Sequence, residues 1–292
     1  MSAYVRPPSL ADALGLLEDA GTQPLAGGTD LIPLQLRGKA AGTLVDVRAL
    51  LGDALERRGD GLLIGAATRL ADVAADPLVA ERYAVLAQAA GMAASPQLRN
   101  QGTVGGNLAQ HVRCWYFRHP DLTCWLAGGD TCYAQIGDHR KHGLEPGDCI
   151  SVAPSDLGGA LLALDAAVRI QGAAGERSIP ISDLYGRPSE GHRSAVQLAR
   201  GELITAVELP APPDASAYER AGERAAWSFA LAGIAAARFG QTLRLAAIGL
   251  TNEPRLLDPT DPLAGLPGLE QTGWKRELAA ALCERALARV QP

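Results

Sequence analysis

Apolar residues recur at helical spacing in three parts of the chain. Ser9 can cap a first helix, whose leucines and alanines recur every three or four residues until Gly21 ends it. A second helix is predicted over residues 77–90, because proline is favoured in the first turn and a glycine follows the last apolar residue. A final helix is predicted over residues 274–290. These three helices provide apolar faces that a core can bury.

Short apolar runs bounded by glycine, proline or polar residues predict strands. They lie at residues 4–6, 24–26, 43–47, 62–66, 167–170 and 203–209, with two longer apolar segments at 227–238 and 243–250. Residues 96–107 hold too many glycine and polar residues for a helix. Pro210, Pro212 and Pro213 mark the best candidate boundary between domains. Mixed strands and helices with this late boundary predict an α+β protein.

Two glycine pairs share one pattern, in which a short apolar approach precedes the glycines and polar side chains follow. They are Pro24-Leu25-Ala26-Gly27-Gly28-Thr29-Asp30-Leu31 and Thr103-Val104-Gly105-Gly106-Asn107. Glycine lets the backbone approach a ligand closely, and the N–H groups after it can bind phosphate. Neither pair is part of G-x-G-x-x-G in a Rossmann unit, and each alone can also be a plain turn. Together, two such turns can hold two parts of one extended ligand, such as a dinucleotide.

Composition narrows the class of protein. The chain has 292 residues, of which 47% are hydrophobic and 20% charged, which suits a globular protein of two or three subdomains. A net charge of −5 and only 4% aromatic residues do not favour binding to nucleic acid. No apolar run reaches the roughly 18 residues of a membrane span, and the N-terminus lacks a signal-peptide pattern. We therefore expect a cytoplasmic protein, or one exported to the periplasm in a folded state with a partner.

Four of the five cysteines, Cys114, Cys124, Cys132 and Cys149, lie in one stretch and are separated by 9, 7 and 16 residues. This spacing lacks the close pairs of structural zinc sites and the C-x-x-C of thioredoxins. Four thiolates spread over a long loop suit the four corners of a [4Fe–4S] cluster. Zinc binding, with a histidine replacing one cysteine, and unliganded or disulfide-bonded cysteines also remain open. Cys283 lies in the predicted final helix and is expected to be a buried thiol.

Four of the five histidines, His111, His119, His139 and His142, fall in the same stretch. We expect them to form hydrogen bonds around the cysteine cluster rather than to act as ligands. The chain shows neither a Ser/His/Asp order nor a G-x-S-x-G turn, so no nucleophilic serine is predicted.

In this order, the motifs resemble those of the FAD-binding subunit of the molybdenum hydroxylases, the xanthine oxidase family. The resembling elements are Ala26-Gly27-Gly28-Thr29-Asp30-Leu31, Thr103-Val104-Gly105-Gly106-Asn107-Leu108, Ser155-Asp156-Leu157, Gly201-Glu202-Leu203-Ile204 and residues 218–230. The resemblance implies a two-lobed FAD-binding domain of the vanillyl-alcohol-oxidase (PCMH) type and a small C-terminal α+β domain. The implied divisions are residues 1–55 and 56–209 for the two lobes, about 111–152 for a cysteine-bearing insert in the second lobe, and 210–292 for the C-terminal domain.

The resemblance also implies roles for single residues. Residues Pro24 to Leu31 would wrap the pyrophosphate and adenosine of FAD with backbone N–H groups. Residues Thr103 to Asn107 would hold the second side of the diphosphate and the ribityl chain. Asp156 would bond polar groups of the cofactor, Leu203 or Ile204 would pack against the isoalloxazine, and Arg220 falls where relatives carry a lysine near the flavin.

The cysteine-bearing insert separates two motifs that lie close together in most of the family. Its segment Arg113-Cys114-Trp115-Tyr116-Phe117-Arg118 resembles the insert of a subgroup whose flavin subunit holds an extra [4Fe–4S] cluster. That subgroup includes periplasmic aldehyde oxidoreductases and 4-hydroxybenzoyl-CoA reductases. The resemblance thus implies that Cys114, Cys124, Cys132 and Cys149 ligate such a cluster.

The implied activity is electron transfer within a heterotrimer. A large partner subunit would oxidise an aldehyde or N-heterocycle at a molybdenum cofactor, and a small partner subunit would pass the electrons through [2Fe–2S] clusters to FAD in this chain. FAD would release them to an external acceptor. In a 4-hydroxybenzoyl-CoA reductase the flow would be reversed. A stand-alone flavoprotein oxidase and a non-enzymatic metal-binding protein, in which the glycine pairs are only turns, remain the alternatives.

Overall fold

The structure is a computed structural model that describes residues 3–40, 42–224 and 228–291. Its first sheet has three parallel strands in the spatial order β1–β3–β2. Their bounds are β1 Tyr4–Val5, β2 Thr22–Leu25 and β3 Thr43–Asp46. Helix α1, Leu10–Leu17, packs on this sheet through its buried residues Ala13, Leu14 and Leu17, and Ser9 caps it by accepting a hydrogen bond from the Asp12 N–H. This sheet and α1 form the N-terminal lobe.

The second sheet has five antiparallel strands in the order β4–β5–β8–β6–β7. Their bounds are β4 Leu55–Arg58, β5 Gly61–Gly65, β6 Ala167–Gly172, β7 Gly175–Pro180 and β8 Leu203–Leu209. The third sheet is also antiparallel and has the order β12–β11–β10–β9. Its strands are β9 Ala215–Gly222, β10 Ala230–Phe239, β11 Thr242–Ile248 and β12 Arg255–Leu257.

The remaining helices connect or cover these sheets. Nine are α2 Leu31–Leu36, α3 Leu70–Ala75, α4 Pro77–Arg82, α5 Ala84–Met92, α6 Pro96–Arg99, α7 Val104–Leu108, α8 Trp115–Arg118, α9 Tyr133–Ile136 and α10 Asp156–Ala163. The last helix, α11 Trp274–Ala288, packs on β9 and β10 of the third sheet and buries Cys283, as predicted.

Helix α10 joins the second and third sheets into one core. All of its eight residues are buried, and Leu157 and Leu161 pack in the same apolar cluster as Tyr218 and Ala235 of the third sheet. A Cβ atom at Gly159 would stand 2.9 Å from a methyl group of Ile248, so glycine is what allows this close approach. The α+β prediction is confirmed. The predicted domain division stays a prediction; apart from Leu55 of β4, the segments 1–55, 56–209 and 210–292 contain one sheet each.

Several predicted elements differ from the structure. The helix predicted over 77–90 is broken at Tyr83, which has a φ of −135° and turns its buried side chain toward the Pro210 carbonyl. The prediction that residues 96–107 are non-helical was wrong: α6 and α7 form there, because Ser95 and Thr103 cap them and satisfy free N–H groups. Strands β4, β7, β9 and β12 were missed; β4 and β7 carry no apolar pattern because most of their residues are polar and exposed.

Two helices are also shorter than predicted. The first helix ends at Leu17 rather than Gly21, and the final helix ends at Ala288 rather than at residue 290. The apolar segment predicted over 227–238 forms a strand from Ala230 onward, and Trp227 itself lies outside the described residues.

Candidate flavin site and cysteine cluster

A cavity of about 290 Å³ lies between the first and second sheets. It brings together three segments that are distant in sequence: the first glycine turn, the second glycine turn and the start of β8. The predicted residues that line it are Pro24, Leu25, Ala26, Gly27, Gly28, Thr29, Asp30, Leu31, Thr103, Gly105, Gly106, Leu203 and Ile204. Its volume lies near the lower end of the range of about 300–1,000 Å³ for ligand pockets. Both glycine turns therefore serve one cavity.

The lining also includes residues that the sequence analysis did not assign to the cofactor site. They are Gln23, Val47, Leu51, Ala66, Ala109, Gln110, His111, Leu198 and Glu202. Gln110 and His111 follow the second glycine turn closely, so their position next to the motif was a usable signal. The apolar residues carry no such signal, because only the packing of the two lobes turns them toward the cavity.

Four predicted cofactor residues do not line this cavity. Val104 is buried in the main core, and the Asn107 amide oxygen accepts a hydrogen bond from the Ser155 hydroxyl at 2.7 Å. Asp156 and Arg220 form an ion pair at 2.9 Å in which both side chains are about 5% exposed. The Tyr218 hydroxyl also donates to Asp156 at 2.7 Å. These contacts join α10 to the third sheet.

The surroundings of Asp156 are those of a buried carboxylate with a structural role. Burial raises the pKa of Asp156, and the Arg220 charge and the Tyr218 hydrogen bond oppose that effect. Burial also raises the pKa of Tyr218 well above its ordinary value. The predicted contacts of Asp156 and Arg220 with the cofactor stay predictions.

The glycines of the first turn are required by geometry. Gly28 has a φ of +68°, in the left-handed region that favours glycine. A Cβ atom at Gly27 would overlap the Gln101 carbonyl, which belongs to the segment before the second glycine turn. Gly27 thus lets the two turns approach each other, which differs from the close approach to a ligand that the sequence suggested.

Free backbone donors line the first turn. Within the described ranges, the N–H groups of Gly27, Gly28 and Thr29 make no hydrogen bond to another group of the chain. These three residues are half-buried, and adjacent N–H groups without a protein partner at a cavity are suited to an anion such as a pyrophosphate. The residues present therefore fit the phosphate part of FAD.

The Asp30 carboxylate is already engaged and ties the first turn to the cysteine-bearing insert. Its Oδ1 pairs with Arg113 at 2.9 Å and Arg118 at 2.6 Å, and its Oδ2 accepts from the His111 backbone N–H at 2.8 Å. The His111 ring nitrogen Nδ1 lies 2.9 Å from the same oxygen. Burial alone would raise the pKa of Asp30, but His111, Arg113 and Arg118 outweigh it and hold the pKa well below its usual range.

The four clustered cysteines line a second, small cavity. Cys114, Cys124, Cys132 and Cys149 surround it together with residues of α8 and α9, and none of them forms a disulfide. A hydrogen bond with Cys149 lowers the pKa of the Cys132 thiol. Because all four thiols are free, the disulfide alternative for these cysteines has no support in the structure.

The donor atoms that the cysteines bring to this cavity are four thiols. In the part of the chain that the structure describes, no group of three or more His, Cys, Asp or Glu side chains is arranged to hold a single ion. In a zinc site, thiolate sulfur atoms lie about 2.3 Å from a single metal ion. A four-iron cluster is instead bound by one thiolate at each of its four corners. The structure places four thiols around one enclosed space.

Comparison with known proteins agrees with a flavin-binding fold. A family model described as "FAD binding domain in molybdopterin dehydrogenase" matches residues 1–212. The chain belongs to this family. It is 37% identical over 257 residues to the aldehyde oxidoreductase FAD-binding subunit PaoB of Escherichia coli K12, covering 85% of this chain and 81% of that protein. It is 30% identical over 257 residues to the carbon monoxide dehydrogenase medium chain of Afipia carboxidovorans, covering 85% and 73%.

Solved structures of the same fold extend over nearly the whole chain. Carbon monoxide dehydrogenase from Hydrogenophaga pseudoflava matches with a TM-score of 0.74 and 21% identity, covering 99% of this chain and 96% of that chain. Quinoline 2-oxidoreductase from Pseudomonas putida 86 matches with a TM-score of 0.73 and 21% identity, covering 99% and 96%. The two-lobed FAD-binding fold with a C-terminal domain is thereby confirmed.

Membership of this family makes the chain an FAD-binding subunit of a molybdenum hydroxylase-type oxidoreductase. The prediction of an enzyme subunit is confirmed, and the non-enzymatic alternative is not supported. Among the described residues, no helix has both the length and the apolar character needed to cross a membrane.

Proposed function

We propose that this chain transfers electrons between FAD and an additional [4Fe–4S] cluster or an external acceptor in a three-subunit molybdenum-containing oxidoreductase. One observation carries the proposal: the two glycine turns close on one cavity, the four cysteines close on a second, and Asp30 connects the two through Arg113 and Arg118. An electron-transfer subunit needs two redox sites held in a fixed relation, and these ion pairs supply such a relation.

The roles of the chain's own residues follow from their positions. The free N–H groups of Gly27, Gly28 and Thr29 would bind the pyrophosphate of FAD, and Leu203 and Ile204 would exclude water from its apolar part. FAD, when bound, supplies redox chemistry that links two-electron and one-electron carriers. The four thiolates of Cys114, Cys124, Cys132 and Cys149 would ligate the cluster.

The relatives support the proposed partners and reaction. They include proteins named as medium chains or FAD-binding subunits, so we propose a large molybdenum-cofactor subunit and a small [2Fe–2S] subunit as partners. The 37% identity to a subunit of an aldehyde oxidoreductase favours an aldehyde as the substrate of the large partner, with an N-heterocycle as the second candidate. We propose the cytoplasm, or the periplasm by export with a partner, as the compartment.

The content of the purified protein tests this function. Iron, acid-labile sulfide, zinc and flavin are measured per chain after anaerobic purification, together with the visible spectrum. Four irons, four sulfides and one FAD are the expected result. One FAD without iron would remove the cluster from the proposal and leave a flavin subunit. Zinc without flavin would contradict both cofactor assignments.

A further inference from the structure

His142 lies against one of the four cysteines. Its side chain is buried, and its Nε2 lies 3.2 Å from the Cys114 sulfur. The ring of Trp115 meets it edge-on, with centroids 4.7 Å apart. The imidazole is thus fixed against Cys114, and chemistry at Nε2 is directed at that sulfur.

The ring proton of His142 has one favourable position. Nδ1 is buried and has no hydrogen-bond partner within the ranges that the structure describes. A proton on Nδ1 would therefore be a buried donor without an acceptor, which costs free energy. A proton on Nε2 reaches the Cys114 sulfur instead. The neutral ring consequently presents an N–H donor to Cys114.

The C-terminal helix holds the backbone of this histidine. Lys275 in the first turn of α11 is fully buried, and its Nζ donates to the carbonyl of His142 at 2.8 Å. It also donates to the carbonyls of Lys141, at 3.4 Å, and Gly249. Three carbonyl acceptors match the three N–H bonds of an ammonium group. Burial lowers the pKa of Lys275 to about 7.

The same region binds the insert at several other main-chain atoms. The Thr272 hydroxyl donates to the Gly143 carbonyl at 3.1 Å, and the Trp274 indole donates to the Arg140 carbonyl at 3.2 Å. The Gly268 N–H donates to the Leu144 carbonyl at 2.9 Å. Each bond fixes the path of residues 140–144 without contacting a cysteine. Residues 268–275 therefore hold the backbone of the segment that carries His142.

We propose that His142 is a positioning residue for the cluster, donating an Nε2–H hydrogen bond to the Cys114 sulfur while Lys275 holds its backbone, a role that rests on the proposed function. A hydrogen bond to a ligand sulfur withdraws electron density and raises the reduction potential of the cluster. In its protonated form Lys275 acts in the same direction, because a buried positive charge stabilises the more negative reduced state. The C-terminal domain thereby tunes a cluster held by the second lobe.

Two substitutions of similar length separate hydrogen bonding from packing. His142→Met removes the donor and keeps an apolar filling, whereas His142→Gln places an amide N–H near the position of Nε2. Iron and FAD per chain are measured first, and the cluster potential is then determined by redox titration followed by electron paramagnetic resonance. We expect His142→Met to keep FAD and iron while its equilibrium constant for cluster reduction falls about tenfold, which corresponds to about 59 mV for one electron. His142→Gln should recover most of that shift.

Two separate lysine substitutions test the proposed role of Lys275. Lys275→Met should lower the cluster potential in the same direction as His142→Met. Lys141→Met is the matched control, because Lys141 is about half exposed and pairs with Glu223 at 2.5 Å. It should leave the potential unchanged. If Lys275→Met does not fold, the two His142 variants still decide whether the hydrogen bond exists.

Each outcome has a definite meaning. An unchanged potential in His142→Met with full iron would overturn the role of His142. Equal loss of iron in His142→Met and His142→Gln, with FAD retained, would also overturn it, since packing rather than hydrogen bonding would then be responsible. Wild-type protein with FAD and no iron would instead refute the cluster assignment, so the two failures are distinguishable.

Discussion

Replacing Asp30 with asparagine tests whether one carboxylate joins the flavin cavity to the cysteine-bearing insert. The substitution keeps the size of the side chain and removes its charge. Arg113 and Arg118 then keep their positive charges, with side chains only 21% and 11% exposed, and lose the carboxylate that lies within 3 Å of both. His111 is 45% exposed and can turn to water, so it contributes less.

The cost follows from the burial of this network. Asp30 is 14% exposed, and removing one partner of a buried ion pair costs about 3–5 kcal/mol because the other charge stays buried without compensation. Asparagine can still accept one hydrogen bond, so we expect a loss of about 3 kcal/mol in the free energy of unfolding. Burial already lowers the pKa of Arg113 to about 10 with Asp30 present, which indicates how poorly this arginine is solvated.

The assay is urea unfolding at pH 7, with FAD per chain measured on the same preparations. Asp165→Asn is the matched control, because Asp165 also pairs with an arginine, Arg244 at 2.8 Å, but is 67% exposed. It should leave unfolding and flavin content unchanged. Asp30→Asn should lose both stability and FAD, since Asp30 belongs to the turn that lines the cavity and ties that turn to Arg113 and Arg118. Equal stability and equal flavin content in the two variants would refute the reasoning.

Acid provides an independent check on Asp30. Its pKa is held below the usual range, so the native state binds this proton less readily than the unfolded state. The stabilisation is therefore fully present above the ordinary aspartate pKa of about 3.9 and is lost as the pH falls toward the lower folded value. The difference in unfolding free energy between wild type and Asp30→Asn should stay constant above about pH 5 and shrink in more acid solution. A difference that grows with acid would contradict the assigned sign.

Three further substitutions have defined outcomes. Cys124→Ser should lose iron and sulfide and retain FAD, because the cysteine cavity and the flavin cavity share no lining residue. Equal loss of iron and FAD would show that the two sites are inseparable. Gly27→Ala should lower flavin content and the urea midpoint, since the added methyl overlaps the Gln101 carbonyl. Tyr83→Phe should cost about 1 kcal/mol in urea unfolding by removing the 2.7 Å hydrogen bond to the Pro210 carbonyl, and no loss would mean that this bond adds nothing.

Matched controls accompany the first two of these. Cys283→Ser changes a buried thiol of α11 that lies outside the insert, so it should keep both iron and FAD. Gly15→Ala adds a methyl group in a helix where nothing lies within 4 Å, so it should not reduce flavin content. A loss of flavin in Gly15→Ala equal to that in Gly27→Ala would show that contact with the second turn is not the cause.

Several parts of the molecule could be predicted from the sequence because they depend on the residue type at one position. Ser9 caps a helix through its own hydroxyl, and Gly28 adopts a φ that other residues avoid, so each leaves a signal in its residue type. The same holds for the two glycine turns, whose common pattern indicated one extended ligand. The four cysteines were recognisable as one group because they are close in sequence, although sequence spacing left cluster, zinc and disulfide open.

The sequence by itself therefore determined the glycine turns, most strands and the α+β class. It also determined which four cysteines form one group. Tertiary structure alone decided the roles of the charged residues. Asp30 and Asp156 are both acidic residues beside a motif, yet one pairs with the insert and the other with Arg220 inside the core. The physical reason is that a backbone conformation depends mainly on the residue itself. The role of a charge depends on its burial and on which distant partner the fold brings within about 4 Å.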